Sequence, residues 1–383
     1  MNRVQSAHSQ EYSKAPDVAV SAPGTVPLFG EHSESAGGNV MICAVQQRMS
    51  VAVSRRSDNS LRFFSATLGE RKKTSVATLK WRREDRWANN CKGVIASLQS
   101  RNYTVPGLEF TIDGNVPAKV GLGSSSAICI ATVVALNKLL KLGLSTADMI
   151  AVAVEAESAF QSSVVSSAAV AASLLSKPGH IMVWNPQSGQ YSYYPFFSSV
   201  SRLIWIDPQV PTTREEIRMI QQRLSEAQGC VDLLVNNSTQ DSLLRLSDAD
   251  LAHGIGTMPE DVRRGCLHLR DDESRLTDAV AALEHHDPHR FGKLLYRSHD
   301  SLRDLYEISN PEIDWLVRRR DTVPGVYGGR RVGFGASASL VVLIEHSALD
   351  DYIDKLPEYE RIFGFTPRWN IIDLSGGTME CSA

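Results

Sequence analysis

The order of apolar and polar residues predicts strands and helices in both halves of the chain. Short apolar runs typical of strands occur at 17–20, 39–45, 50–54, 61–68, 107–114, 179–186, 202–207, 328–345 and 368–374. Apolar residues three or four positions apart predict helices at 86–101, in the second part of 115–143, at 146–160, and through most of 212–235 and 272–308. Because both halves mix the two kinds of element, we predict an α+β fold.

The domain organisation follows from the same pattern. Residues 1–16 are polar and predict a flexible tail. The rest of the chain changes texture near residue 200, which predicts one domain at 17–200 and a second at 201–383. A length of 383 residues provides ample material for the cores of both domains.

Charge and composition exclude several classes of protein. The formal net charge is −3, whereas a protein that coats nucleic acid is strongly basic. The basic runs at 71–83 and 318–320 are interpreted as solvated faces. No apolar stretch reaches the roughly 18 residues of a membrane-spanning helix, and the N-terminus lacks the apolar segment of a signal peptide. We therefore predict a cytoplasmic protein with neither a nucleic-acid nor a membrane partner.

Six cysteines are scattered along the chain without a C-x-x-C pair. Such spacing is typical of neither a zinc site nor a disulfide framework. The pattern therefore predicts free thiols in a reducing compartment. The residues are Cys43, Cys91, Cys129, Cys230, Cys266 and Cys381.

Residues 21–40, "SAPGTVPLFGEHSESAGGNV", follow directly after the apolar run at 17–20. They combine glycines, prolines and an acid–histidine pair. This order is typical of a strand that leads into a ligand-contacting loop, because binding residues are often carried on loops that a rigid element holds in place.

The stretch "GLGSSSA" at 121–127 precedes a long apolar helix. Glycines let backbone amides turn toward a ligand, and a helix N-terminus adds partial positive charge, so the stretch favours an anion such as a nucleotide phosphate. Serine hydroxyls can contact the phosphate or a bound Mg²⁺. The alternative is a serine-capped helix start that binds nothing, and the stretch alone leaves both interpretations open.

Several stretches resemble the galactokinases of the GHMP kinase superfamily, in the order in which that family has them. The matching stretches are "APGTVPLFGEHSESAGG" (22–38), "RWANNCKGV" (86–94), "PAKVGLGSSSA" (117–127), "FGKLLYRSHDSLRDLYEISNPEIDWLV" (291–317), "PGVYGGR" (324–330) and "GFGASAS" (333–339). The first, third and last resemble the three motifs of the superfamily. Together they cover most of the chain, which is on this ground identified as a galactokinase-like protein.

The resemblance implies a two-domain GHMP-kinase fold in which ATP and a sugar meet in a cleft between the domains. The N-terminal domain is expected to be of the ribosomal protein S5 domain 2-like type and the C-terminal domain to be ferredoxin-like. The implied sugar-binding residues are Glu31, His32, Glu34, Gly37 and Gly38. The implied nucleotide-binding residues are Gly121, Leu122, Gly123, Ser124, Ser125 and Ser126. An alternative for His32 is a structural hydrogen-bonding role within a tight loop.

Four positions depart from the galactokinase pattern at groups that carry chemistry. The motif-one arginine and asparagine are replaced by Thr25 and Pro27, which supply no charge and no amide donor. The aspartate that faces the sugar C1 hydroxyl falls on Ala169, and 165–176 holds no acid or base. The Mg²⁺-ligating glutamate is assigned to Cys129, whose thiol is a poor ligand for a hard ion.

The third motif departs as well. Glycines of the family pattern are replaced there by larger residues at Phe334, Ser337 or Ala338. Side chains at positions where backbone approaches phosphate weaken the case for tight nucleotide binding.

Three hypotheses follow from these departures. The first is a catalytically impaired pseudokinase that binds a sugar, a nucleotide or a partner protein. The second is an active ATP-dependent sugar kinase with an altered acceptor site, and the third is a structural or assembly role. No catalytic residue and no metal ligand is assigned. ATP binding, if retained, is expected to be weak and less dependent on Mg²⁺ than in an active kinase, because of Cys129.

Overall fold

The computed structural model describes residues 3–118, 120–160, 165–235, 256, 258–333 and 339–381. Contacts divide the chain into two compact units. Unit 1 comprises Met1–Thr25, Ala44–Pro178 and Ser375–Ala383, and unit 2 comprises Val26–Cys43 and Gly179–Leu374. This division differs from the single boundary near residue 200 predicted from the sequence, because residues 26–43 join unit 2 and residues 375–383 return to unit 1.

The described elements include strands and helices in both halves of the chain, as the apolar pattern predicted. The strands are β1 Val18–Phe29, β2 Val40–Arg55, β3 Ser60–Ser65, β4 Glu70–Ser75, β5 Leu108–Gly114, β6 His180–Trp184, β7 Tyr191–Pro195, β8 Ser201–Asp207, β9 Val326–Val332, β10 Ser339–Glu345, β11 Arg368–Ile372 and β12 Met379–Glu380. The helices are α1 Arg3–Tyr12, α2 Ala88–Ser100, α3 Ser124–Leu140, α4 Thr146–Phe160, α5 Ser167–Leu175, α6 Arg214–Val235, α7 Glu260–Glu284, α8 Pro288–Asp304, α9 Pro311–Val317, α10 Leu349–Ile353 and α11 Leu356–Phe363.

Unit 1 combines a sheet with a layer of four helices. Residues 49–55 of β2 pair antiparallel with β5, β3 pairs with β5 in parallel, and β4 pairs with β3. The helices α2, α3, α4 and α5 pack on one another. Nearly every residue of α3 from Ser126 to Leu136 is buried, as expected for a helix that is apolar on all sides.

The N-terminal segment forms α1, where the sequence predicted a flexible tail. Helix α1 contacts β5, and Val4 and His8 are fully buried. The two ring nitrogens of His8 lie 3.0 Å from the Thr111 hydroxyl and 2.9 Å from the Ser54 hydroxyl. A polar helix is thus attached through a buried histidine rather than through a broad apolar stripe, which explains why its composition resembled a tail.

Unit 2 contains a four-stranded antiparallel sheet in the order β11-β8-β10-β9. Helix α8 lies directly on β9, because a Cβ atom added to Gly328 would come within 1.9 Å of the Gly292 carbonyl oxygen. Only glycines permit so close a backbone approach. The first residues of β2, 40–42, pair with β6 in the same unit.

Two strands are longer than the sequence predicted. Strand β1 continues to Phe29 because the whole of "SAPGTVPLF" is buried. Strand β2 spans both of the strands predicted at 39–45 and 50–54, including the polar residues 46–48 between them. Local composition therefore underestimated strands that neighbouring chain segments stabilise.

The prediction that all six cysteines are free thiols is wrong for two of them. Cys230 of α6 and Cys266 of α7 form a disulfide with Cα atoms 5.8 Å apart. The neighbouring helices α6 and α7 bring these residues together, although 36 positions separate them in the sequence. The other cysteines, Cys43, Cys91, Cys129 and Cys381, carry free thiols. Among the described residues, we find no helix that combines the length and the apolarity needed to cross a membrane.

Candidate functional site

The "GLGSSSA" stretch forms a glycine loop at the start of α3 in unit 1. Gly121 and Gly123 have φ angles of +78° and +63°, in the left-handed region that favours glycine. The Leu122 carbonyl oxygen accepts a hydrogen bond from the Thr25 amide at 3.0 Å, which attaches the loop to β1. The sequence prediction of a glycine loop that opens a helix is confirmed.

Thr25 lies against this loop. A Cβ atom added to Gly123 would be 2.6 Å from the Thr25 hydroxyl oxygen. Thr25 is 1% exposed, and none of the described residues is a hydrogen-bond partner of its hydroxyl oxygen. A buried polar atom without a partner is costly, so the hydroxyl is available to a ligand of the loop.

A carboxylate that the sequence interpretation missed lies beside the loop serines. The Ser126 hydroxyl donates to the Glu157 carboxylate of α4 at 2.9 Å, and Ser125 also hydrogen-bonds to it. Glu157 is 4% exposed, and burial raises the pKa of its carboxyl group against the opposing effect of the serines. One signal was present in the sequence: Glu157 shares a helix face with the buried Ala153 and Phe160, which is an unusual position for an acid.

Cys129 is buried in the body of α3. Its sulfur lies 3.9 Å from the Asn90 carbonyl oxygen, and burial raises the pKa of its thiol well above the usual value, with a further contribution from Glu157. A neutral thiol is not a metal ligand. The oxygen atoms gathered near the start of α3 are those of Glu157, Ser125 and Ser126.

Ala169 lies in the first turn of α5. Its amide donates to the hydroxyl of Ser166 at 3.1 Å, and the residue is 3% exposed. The side chain is a methyl group, which can neither accept nor donate a proton. The described residues 165–176 therefore offer no general base.

The residues predicted to bind sugar lie in unit 2, in the loop after β1. The Glu31 carboxylate accepts a hydrogen bond from Arg330 of β9 at 2.7 Å, and both side chains are fully buried. Arg330 also donates to the Leu28 carbonyl oxygen. Burial raises the pKa of Glu31 against the opposing charge of Arg330. The second carboxylate oxygen, Oε2, has no hydrogen-bond partner in the part of the chain that the structure describes. Glu31 therefore retains one acceptor for a ligand.

His32 is enclosed by aromatic rings. Its ring centroid lies 5.1 Å from that of Tyr306 and 6.2 Å from that of His268. Burial lowers the pKa of both histidines, that of His268 to about 3, so both rings are neutral at pH 7. Among the described residues, the Nε2 atom of His32 has no hydrogen-bond partner, and its role as a sugar contact stays a prediction.

The remaining residues of this loop, named the sugar loop from its predicted role and comprising residues 31–38, form a tight turn. Glu34 is half-buried and begins a short 3-10 helix, Glu34–Ala36. The Gly37 amide donates to the Glu34 carbonyl oxygen at 3.0 Å. Gly37 has a φ of +79°, and a Cβ atom on Gly38 would lie 2.6 Å from the Ser33 hydroxyl oxygen. Both glycines are therefore required by the turn, and their contribution to sugar binding stays a prediction.

Each predicted set of residues is gathered within one unit, the nucleotide set in unit 1 and the sugar set in unit 2. Their meeting in a cleft stays a prediction. The third-motif positions Phe334, Ser337 and Ala338 lie outside the described residues. Within the described part of the chain, no three His, Cys, Asp or Glu side chains cluster as a metal site would require.

Two family models match the chain. The model for the GHMP kinases N terminal domain matches residues 89–177, which include the glycine loop and Glu157. The galactokinase galactose-binding signature matches residues 6–55, which include the sugar loop. Both matches coincide with the stretches from which the sequence resemblance was drawn.

Full-length relatives agree with these models. A protein of Treponema pallidum, provisionally named a galactokinase, is 33% identical over 372 residues that cover 95% of this chain and 93% of the relative. A Clostridium perfringens galactokinase is 26% identical over 391 residues, which cover 99% of each protein.

Solved structures share the fold. The crystal structure of Lactococcus lactis galactokinase complexed with galactose has a TM-score of 0.91, covers 98% of each chain and is 20% identical. Methanococcus jannaschii mevalonate kinase has a TM-score of 0.66, covers 94% of this chain and 98% of its own, and is 14% identical. The fold is thus that of the GHMP kinases. With the sequence relatives, these findings show that the chain belongs to the galactokinase family.

Proposed function

We propose that this protein binds a galactose-like sugar and a nucleotide but transfers phosphate slowly, as a catalytically impaired member of the galactokinase family. The observation that carries the proposal is Ala169, a buried methyl side chain at the position where the family resemblance implies a sugar-facing aspartate. The sugar and nucleotide elements, by contrast, retain groups that a ligand can use.

The sugar loop supports binding of a polyhydroxylated ligand. Glu31 Oε2 and His32 Nε2 are buried polar atoms that have no hydrogen-bond partner within the described ranges. A sugar hydroxyl can donate to both, and satisfying buried polar atoms in this way is favourable. The galactose-binding signature that matches residues 6–55 makes galactose the first ligand to test.

The glycine loop supports binding of a nucleotide phosphate. The unpartnered Thr25 hydroxyl and the amides at the start of α3 are donors suited to phosphate oxygens. The donor set also fits Mg²⁺, a hard ion that takes oxygen ligands, because the Glu157 carboxylate and the Ser126 hydroxyl lie 2.9 Å apart. When bound, Mg²⁺ would neutralise phosphate charge. This proposal expects ATP binding to depend on Mg²⁺ more strongly than Cys129 alone implied, and neither expectation has been tested.

The losses concern the transfer step. A missing general base typically costs about 10²–10⁴ in rate, and a missing cationic stabiliser costs roughly 10³–10⁵. Ala169 and Thr25 supply neither group. Because such effects are not additive, we expect a total deficit of about 10⁴ relative to an ordinary kinase.

A steady-state assay with galactose, ATP and Mg²⁺ tests this proposal. Wild-type protein is compared with Ala169→Asp, which adds a carboxylate, and with Ala169→Asn, which matches it in size without adding a base. We expect negligible turnover by the wild type and the Asn variant, and faster turnover by the Asp variant. An ordinary rate of roughly 1–100 s⁻¹ for the wild type would contradict the proposal.

A second function is favoured by Glu157. A buried carboxylate beside the loop serines, suited to help hold Mg²⁺, is unnecessary in a protein that only binds sugar, so an active kinase with an altered acceptor site is the alternative. It is tested by measuring ADP release with a panel of sugars other than galactose. Release at an ordinary rate with one sugar would favour the kinase.

A further inference from the structure

Two consecutive carboxylates of α7 hold the two ends of the sugar loop in unit 2. The Gly30 amide, where the loop begins, donates to Asp272 Oδ2 at 2.9 Å. At the other end, the Asn39 amide donates to Glu273 Oε2 at 3.1 Å, and the Asn39 side-chain amide donates to Glu273 Oε1 at 2.7 Å. Residues 31–38, which include Glu31, His32 and Glu34, lie between these attachment points.

The geometry explains how adjacent helix residues reach both ends. Side chains of consecutive helical residues diverge by roughly 100°, so they contact separate points on a neighbouring segment only if those points are close together. The loop meets this condition because it closes on itself, with the Gly38 amide donating to the Ser33 carbonyl oxygen at 2.9 Å. Gly30 and Asn39 are thus presented side by side to α7, where the Asn39 carbonyl oxygen would lie 2.0 Å from a Cβ atom on Gly30.

Asp272 is the more rigid of the two attachments. It is 1% exposed and accepts further hydrogen bonds from Ser298 at 2.6 Å and from Arg275 at 3.1 Å. Burial acts to raise the pKa of Asp272, but Arg330, with smaller contributions from His268 and Arg275, outweighs it and holds the pKa well below the usual range. The charged form is therefore stabilised, and a carboxylate with several donors keeps one orientation.

Glu273 is half-buried and binds Asn39 through both of its oxygens. The Asn39 carbonyl oxygen of the side chain accepts a further hydrogen bond from Asn185 at 2.9 Å, which orients the Asn39 amide toward Glu273. Burial raises the pKa of Glu273, and the two donors of Asn39 oppose this effect. Two hydrogen bonds thus join Asn39 to Glu273, at a place that is partly accessible to solvent.

We infer that Asp272 and Glu273 are positioning residues that hold the sugar loop in the conformation competent to bind sugar. The inference rests on the proposed function, because it assigns the ligand of Glu31 and His32 as a sugar. Neither carboxylate contacts that ligand. Because they restrict the loop before the sugar binds, less conformational entropy is lost on binding. The affinity is thereby strengthened without a new contact.

Calorimetric titration of galactose and, separately, of Mg²⁺-ATP tests the inference on the intact chain. The main variant is Glu273→Gln, which keeps the side-chain size and one acceptor but cannot accept from both Asn39 donors. Asp272→Asn is the second variant. The control is Asp278→Asn on the same helix, whose carboxylate pairs at 2.8 Å with Arg290, both side chains being about half exposed (49% and 48%).

We expect Glu273→Gln to weaken galactose affinity about tenfold, as the loss of one charge-assisted hydrogen bond implies. ATP affinity should stay unchanged, because the nucleotide elements belong to unit 1. Asp278→Asn should bind both ligands as the wild type does. Asn39→Ala should weaken galactose binding to a similar extent, and combining it with Glu273→Gln should add little further loss, since both variants remove the same attachment.

Three outcomes would overturn the inference. One is a folded Glu273→Gln variant with wild-type galactose affinity, and another is an equal loss of galactose and ATP affinity, which would indicate a general structural role. If Asp272→Asn does not fold, the galactose affinity of Glu273→Gln alone decides whether the inference holds. Wild-type protein that binds ATP but no galactose would overturn the proposed function itself, and the inference with it, and is distinguished from the other outcomes by the wild-type titration.

Discussion

Ser126 donates its hydroxyl hydrogen to Glu157 at 2.9 Å, so the first turn of α3 and the last turn of α4 share a buried carboxylate. The relationship changes the interpretation of the site. When only Cys129 was considered, the glycine loop had no acidic side chain beside it that could help to hold Mg²⁺. With Glu157 beside the serines, unit 1 has hydrogen-bond donors suited to phosphate and oxygen atoms suited to a hard cation.

Replacing Glu157 should make nucleotide binding insensitive to metal removal. In the wild type, we expect EDTA to weaken ATP binding, because Glu157 would help to hold Mg²⁺, which would neutralise phosphate charge. In Glu157→Gln, EDTA should have little effect. Calorimetry of ATP with Mg²⁺ or EDTA measures this. The control is Glu155→Gln on the same helix, which accepts from Ser97 at 2.7 Å and lies away from the loop serines. Wild-type ATP binding that ignores EDTA would rule out Glu157 as a metal ligand.

Crowding of the glycine loop should weaken ATP binding. Gly123→Ala introduces a Cβ atom 2.6 Å from the Thr25 hydroxyl at a φ of +63°. The matched control is Gly143→Ala, which has a φ of +69° and no neighbouring atom within 4 Å. Both should lose about 1–2 kcal/mol of unfolding free energy from the left-handed backbone, but only Gly123→Ala should also lose ATP affinity. Equal ATP affinity in the two variants would show that the loop does not bind phosphate.

The attachment of α1 should weaken in acid. Burial lowers the pKa of His8 to about 4, against the opposing effect of Glu109, whereas the unfolded chain has an ordinary value of 6.5. Between these two values the unfolded state binds the extra proton, so stability falls as pH decreases from 6.5 to 4, by up to about 3 kcal/mol.

Urea unfolding at pH 7 and pH 4.5 measures this dependence. His8→Gln should be less stable at pH 7 but should lose less stability on acidification than the wild type. The exposed His285 supplies the control variant, His285→Gln, which should retain the wild-type pH dependence. Identical acid sensitivity of the wild type and His8→Gln would indicate that His8 does not titrate as a buried group.

The disulfide should stabilise unit 2. Cys266→Ser removes a cross-link between residues 36 positions apart, and we expect a loss of about 2–4 kcal/mol in unfolding free energy. Reducing the wild type should reproduce this loss, and the variant should be insensitive to the reductant. Alkylation of the denatured, unreduced protein should modify the other four cysteines and spare this pair. Modification of Cys230 would show that the bond is absent under those conditions.

The sequence predicted what depends on local pattern and missed what depends on tertiary neighbours. The glycine loop and the sugar loop were identified because glycine, serine and charged residues recur there at short spacing. Glu157, Asp272 and Glu273 were missed because their partners lie 31 to 242 residues away in the chain. Helix α1 was missed for the same reason, since the Ser54 and Thr111 hydroxyls that contact His8 lie 46 and 103 residues away in the chain.

The most direct test of the central claim combines galactose binding with phosphate transfer in one preparation of wild-type protein. Calorimetry measures galactose affinity, and rapid quench with labelled ATP, Mg²⁺ and saturating galactose measures the rate of the first turnover. We expect galactose to bind and transfer to be slower than the ordinary kinase range of roughly 1–100 s⁻¹ by about 10⁴. Bound galactose phosphorylated at an ordinary rate would contradict the claim that the site binds sugar but has lost the groups that transfer phosphate.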